Sequence, residues 1–228
     1  MEQSTIENSA HLGLKNNVSI LGEKQNSLLE SIFTNVGWKS KLLVIFAFLV
    51  FETILAQIKF FLPDNPVPVT MQTFGILMMG SVLGWRLGLI TIFSYVLLGI
   101  LGAPIFQSWN GGINYFLGAT GGYIVGFFLA VPVMGFLSQR GWTRSKSLWA
   151  MLIGNIVIYI PAVIWLSIGM SFFDFSWPKS GQLLSQAIYP FIIGDLLKMV
   201  FAALITGLLW QIVDSRKSKK YFNFESKL

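Results

Sequence analysis

The chain has 228 residues, 54% of them hydrophobic and 11% charged, with 22 glycines and a formal net charge of +6. A soluble domain carries about 25% charged residues, so this composition belongs to a protein that lives in a bilayer. There is no cysteine, which excludes disulfides and thiolate metal sites, and the single histidine, His11, lies in a polar N-terminal stretch away from every apolar segment.

Residues 1–40 form a polar tail that mixes Glu2, Glu7, Glu23 and Glu30 with Lys15, Lys24 and Lys39. Neither a signal peptide nor a transit peptide has that pattern. Within the tail, Ser27 and Glu30 make a capping-box pair ahead of Leu28, Leu29, Ile32 and Phe33, which predicts a short helix. Two readings stay open for it: a helix lying on the membrane surface, or a tail without functional weight.

Residues 41–214 hold six apolar segments, and a helix needs about 20 residues to cross the hydrocarbon core. They run from about Leu42 to Leu62, Thr70 to Leu83, Leu87 to Leu101, Tyr123 to Leu137, Leu148 to Met170 and Gly194 to Val213. The "PDNPVP" run at residues 63–68 forces a turn after the first, and "GWRLG" with Arg86 marks a tight connection after the second. Residues 215–228 read as a basic tail. The expected fold is an all-α integral membrane protein of six transmembrane helices.

Lys and Arg accumulate on the cytoplasmic side of membrane proteins. With the N-terminus inside, thirteen of the 16 basic residues fall inside, and only Lys59, Lys179 and Lys198 fall outside. Both termini are therefore expected in the cytoplasm, and the positive charge needs no nucleic-acid partner. The long connections at residues 59–69, 102–122 and 171–193 lie outside, where varied loops suit ligand entry.

Enzymatic readings lack their parts. The chain contains no G-x-x-x-x-G-K-[ST] phosphate loop, no H-E-x-x-H and no G-x-S-x-G, and Asp195 is the only aspartate within a span. No catalytic residue, metal site or cofactor is expected. The stretch "WNGGINYFLGATGGYIVGF", residues 109–127, offers Trp109, Asn110, Tyr115 and Tyr123 among its glycines, either as a ligand loop or as a cap on the bundle. Gln72 reads as a helix-packing hydrogen bond or a ligand contact.

Asp195 and Lys198 stand three residues apart in "YPFIIGDLLKMVFAALITG", on one helical face. A charge at the centre of a span costs about 2.5–3.5 kcal/mol, so such residues face a partner, a cavity or a pathway. Self-pairing at the interface, with Lys198 reaching outward, is the competing reading. Glu52 in the first segment is a further anomaly, a packing or partner-facing carboxylate.

Four motifs, "NPVPVTMQTFGILMMGSVLGWRLG", "LLGILGAPIF", "GGINYFLGATGGYIVGF" and "PFIIGDLLK", occur in that order across about residues 56–204. Together they resemble the BioY family, the biotin-specific S components of energy-coupling factor transporters. The resemblance implies an outward-facing pocket for one biotin, and partners in a transmembrane T component and two cytoplasmic ATPases. It also implies cell-membrane localisation, with membrane lipid around the chain.

By the same resemblance, Asp195 and Lys198 occupy the family's "GDxxK" positions and contact the ureido ring, with Asn110 completing those contacts. Tyr123 matches the tyrosine of "TGGY", Gln72 the glutamine of "LQT", and Trp109 covers the bicyclic ring or the valeryl chain. Two departures stand out: Ala119 replaces a family proline, and Phe51 and Glu52 fall between Ala47 and Ala56, where small residues at spacing four are usual. An S component for another vitamin, or a non-catalytic structural subunit, are the alternatives.

Overall fold

The computed structural model describes residues 24–33, 37–172 and 175–225; His11 and most of the polar tail lie outside the described residues. Five helices among these are long and apolar enough to cross a membrane. In chain order the helices are α1 (Leu28–Ile32), α2 (Trp38–Gln57), α3 (Gln72–Ile100), α4 (Ile113–Phe116), α5 (Gly121–Ser138), α6 (Trp142–Ser145), α7 (Ser147–Phe172), α8 (Leu183–Ala187) and α9 (Tyr189–Glu225). Strands β1 (Lys59–Phe60) and β2 (Val69–Thr70) pair antiparallel between α2 and α3.

The second and third predicted segments both lie within α3, which is broken at Gly84 (φ 74°, ψ 177°). This backbone region is essentially open only to glycine. A straight helix would separate Gln72 and Tyr95 by about 35 Å, yet the Gln72 Nε2 donates to the Tyr95 hydroxyl at 3.2 Å. Residues 72–83 and 85–100 are thus two arms of a hairpin lying side by side.

The hairpin packs against α5, and α5 packs against α7. Gly126 lets α5 and α7 approach to backbone contact, since a Cβ there would fall 2.2 Å from the Ile158 carbonyl oxygen. Ile76, Met79, Ile92, Phe127, Val131 and Ile158 fill the space between these elements. By contrast α2 lies at the edge and buries only Glu52, Leu55 and Ala56, which share one face at i, i+3 and i+4.

Three boundaries differ from expectation. Helix α2 stops at Gln57, because the chain turns extended at Ile58 and enters the β1–β2 ladder, Lys59 opposite Thr70 and Phe60 opposite Val69. Asn65 shapes the intervening loop, its Oδ1 accepting from the Val67 N–H at 3.0 Å. Helix α9 starts at Tyr189, earlier than Gly194, because Pro190 sits in a first turn whose N–H groups have no helical acceptor. It then continues through the basic tail to Glu225.

The capping box at Ser27 and Glu30 forms as the spacing predicts, with bonds of 2.9 and 3.2 Å. The apolar face of its helix meets protein: Leu28 is fully buried against Trp210 and Val213 of α9. Trp210 also donates to Thr143 Oγ1 at 3.2 Å, and Arg144 pairs with Asp214. One turn of helix thereby ties the N-terminal segment to the far end of the bundle.

Candidate ligand-binding site

The start of α9 carries Asp195 and Lys198 one turn apart, and the Lys198 ammonium donates to Asp195 Oδ1 at 2.9 Å. Thr73, in the first turn of α3, donates to the same oxygen at 3.1 Å. The Tyr159 hydroxyl of α7 donates to Asp195 Oδ2. Three helices therefore converge on one carboxylate.

Asp195 is 3% and Lys198 7% exposed, so Lys198 does not reach outward to an interface. Burying two charges is expensive, and it is tolerated when further hydrogen bonds satisfy the remaining lone pairs. Hydrogen bonds to a charged group contribute about 1.5–3 kcal/mol each. Here Thr73 and Tyr159 supply two of them to the acid, while Asp195 is the only acceptor hydrogen-bonded to Lys198 among the described residues. An ammonium carries three donors, so Lys198 keeps capacity for a ligand acceptor.

These groups line a narrow cavity of about 50 Å³. Gln72, Thr73, Tyr123, Tyr159, Asp195 and Lys198 give it a polar side, and Phe106, Ile124, Phe127 and Phe191 an apolar one. Val67 and Pro68 of the β1–β2 loop cover it together with Gln107 and Tyr115. Asn65 Nδ2 fastens the β1–β2 loop by donating to the Gln186 carbonyl at 3.1 Å, and on the cavity wall the Tyr123 hydroxyl donates to the Ala187 carbonyl at 2.7 Å. Small-molecule sites measure about 300–1,000 Å³, so the cavity has to widen before a ligand of that class fits.

Of the residues expected from sequence, Gln72, Tyr123, Asp195 and Lys198 come together on this cavity. Trp109 and Asn110 are not on its wall. Trp109 is 63% exposed, and its N–H donates to Gln57 Oε1 at 3.1 Å. Asn110 turns its amide back to the Gln107 carbonyl at 2.9 Å, closing the 3₁₀ turn at Gln107–Trp109. Ser108 and Trp109 both hold positive φ, 58° and 57°, an unusual conformation that marks a constrained loop.

Sequence reasoning missed Thr73, Tyr159 and Gln107. Thr73 is masked by its neighbour Gln72, since a threonine at a helix start reads as local chemistry. Tyr159 did carry a signal: with Asn155 it makes a polar i, i+4 pair on an otherwise apolar helix.

A bundle of membrane-length helices around a narrow, partly polar cavity at the ends of α3, α5 and α9 defines a polytopic membrane protein that binds a small molecule. Similarity narrows the class. The BioY family model matches residues 26–215. The probable biotin transporter BioY of Pyrococcus horikoshii is 35% identical over 141 residues, covering 62% of this chain and 79% of that one. The biotin transporter BioY of Thermotoga maritima is 34% identical over 144 residues, covering 63% and 81%. A crystal structure of the S-component for biotin from an ECF-type ABC transporter superposes with a TM-score of 0.65 at 28% identity, covering 76% of this chain and 92% of that one. The chain belongs to the BioY family.

Proposed function

We propose that the chain is a membrane S component that binds biotin in the cavity around Asp195 and Lys198 and serves its uptake. The observation that carries this reading is the buried ion pair itself. Asp195 accepts and Lys198 donates, and biotin's ureido ring offers two N–H donors and one carbonyl acceptor. Such charge-assisted bonds are roughly twice as strong as neutral ones.

The hairpin geometry of α3 supports a reading with six membrane crossings and both termini on the cytoplasmic side, where the basic residues gather. In that frame the cavity faces outward. Nothing in the sequence binds ATP through a phosphate loop, so uphill uptake draws its energy from a T component and two cytoplasmic ATPases. Asn110 and Trp109 enter the site when the 102–122 loop moves with the cover.

Ligand that binds the native state raises thermal stability. A panel of vitamins, each added to purified protein while unfolding is followed, tests the reading: biotin raises Tm and the others do not. A shift with a different vitamin alone replaces biotin as the ligand.

A further inference from the structure

The narrow cavity has to widen to take a ligand, and its walls differ in how they are held. Tyr159, Asp195 and Lys198 stand on long helices, whereas Phe106 and Gln107 belong to a short turn, residues 106–110. That turn closes on itself: the Phe106 N–H donates to the Asn110 carbonyl at 3.0 Å, and the Asn110 N–H donates to the Gln107 carbonyl at 3.2 Å. Ser108 and Trp109 within it hold positive φ, which residues other than glycine keep only where their surroundings impose it.

One side chain of α2 supplies that constraint from outside. Gln57 Nε2 donates to the Phe106 carbonyl at 3.0 Å, and Gln57 Oε1 accepts from the Trp109 N–H at 3.1 Å. A single amide thus spans the turn with both of its edges. Among the described residues these are the only hydrogen bonds between α2 and residues 102–122. Gln57 is also the last residue of a helix that buries only Glu52, Leu55 and Ala56, so few other contacts hold that end in place. On its inner side the turn presents Phe106, whose ring meets Tyr95 edge-on at 5.6 Å and stacks on Tyr115 at 5.5 Å. Moving the turn therefore moves an aromatic wall of the cavity.

We propose that Gln57 is a positioning residue for ligand entry: its amide latches the 106–110 turn to α2, and release of that latch opens the Phe106–Gln107 side of the cavity. The proposal rests on the ligand reading above. Once released, the turn relaxes from its positive φ and the wall retreats, while exposed Trp109 gives its N–H to water. Gln57 itself touches no ligand. It holds the same turn in the empty and in the occupied site, and a contact equal in both states does not change affinity. It sets the rates of entry and exit instead.

The test uses the full chain in nanodiscs, with labelled biotin as the probe, and compares wild type, Gln57→Met and Thr53→Val. Methionine keeps the length of the side chain and removes both bonds. Thr53, one turn earlier on α2, meets Gln57 through its backbone carbonyl alone and is the control. Without biotin, amide hydrogen exchange over residues 106–112 should be at least about fivefold faster in Gln57→Met, as expected for losing ordinary hydrogen bonds, with α5 unchanged. Biotin association and dissociation should both accelerate by a similar factor, about fivefold, while Kd changes less than about twofold. Thr53→Val should match wild type throughout. Unchanged exchange in Gln57→Met, equal acceleration in Thr53→Val, or faster exchange in α5 as well overturns the latch. Faster exchange with unaltered binding rates, or a raised Kd without faster association, overturns its part in ligand entry. Absence of biotin binding by wild type overturns the ligand reading instead, and the exchange result still decides the latch.

Discussion

Gln72 and Tyr95 face each other across the α3 hairpin, Nε2 to hydroxyl at 3.2 Å, and the Tyr95 hydroxyl donates in turn to the Ile105 carbonyl at 2.8 Å. This chain of bonds ties the first arm, the second arm and the loop beyond it into one unit. It exists only because the backbone reverses at Gly84.

Gly84→Ala should therefore destabilise the protein. The residue's φ of 74° with ψ 177° carries a strain of about 1–3 kcal/mol for any L side chain. A Cβ there also comes to 3.0 Å from Gln139 and Ser27. At about 2–4 °C per kcal/mol for a chain of this size, Tm in detergent should fall by roughly 2–12 °C. Gly207→Ala, on α9 with open space around it, is the control and should hold or slightly raise Tm.

The close approach of α5 and α7 makes a second prediction. Gly126→Ala drives a methyl group to within 2.2 Å of the Ile158 carbonyl oxygen, which is backbone and cannot swing aside. Overpacking of this kind costs about 1–3 kcal/mol. Because α7 carries Tyr159, a displaced helix should also weaken biotin binding, seen as a lower Tm together with a higher Kd.

Tyr159→Phe should weaken biotin binding by about 10–150-fold, as expected for losing one hydrogen bond of about 1.5–3 kcal/mol to the ionised acid. Its volume is nearly unchanged, so Tm without ligand should move little more than that bond requires. Lys198→Met should cost more, because it leaves the Asp195 carboxylate buried without its cation. Isothermal titration of both variants checks the ranking.

The cover supplies a kinetic prediction. Asn65→Ala removes the bond to the Gln186 carbonyl and the turn held at the Val67 N–H. Opening should become easier, and biotin dissociation faster, by about fivefold for a bond of about 1 kcal/mol. Stopped-flow displacement measures it directly.

The fourth and fifth apolar segments were legible in the sequence almost to the residue. Predicted segments at 123–137 and 148–170 became α5, Gly121–Ser138, and α7, Ser147–Phe172. Hydropathy reports length and burial in lipid, and it marks such helices well. It does not report where a proline falls within the first turn, so the start of α9 was placed five residues late. Nor does it show that Leu28 is buried beneath Trp210, because a short amphipathic helix reads the same against lipid as against protein.

The candidate site was legible where charge made it conspicuous, at Asp195 and Lys198. Tyr159 and Thr73 were hidden because tyrosine and threonine are ordinary in membrane helices, and only the fold aims both at Asp195. Asn110 and Trp109 suggested themselves through loop composition. Composition does not say which way a loop folds, and here the Trp109 backbone N–H serves Gln57 while the Asn110 side-chain amide serves the Gln107 carbonyl.

The central claim is that the buried pair on α9 grips biotin, and titration calorimetry of purified wild type and Asp195→Asn tests it most directly. Wild type should bind one biotin per chain, and Asp195→Asn, which keeps the shape of the side chain and removes its charge, should bind about 10–150-fold more weakly while folding normally. Equal affinity in the two proteins, or no heat with biotin in either, would contradict it.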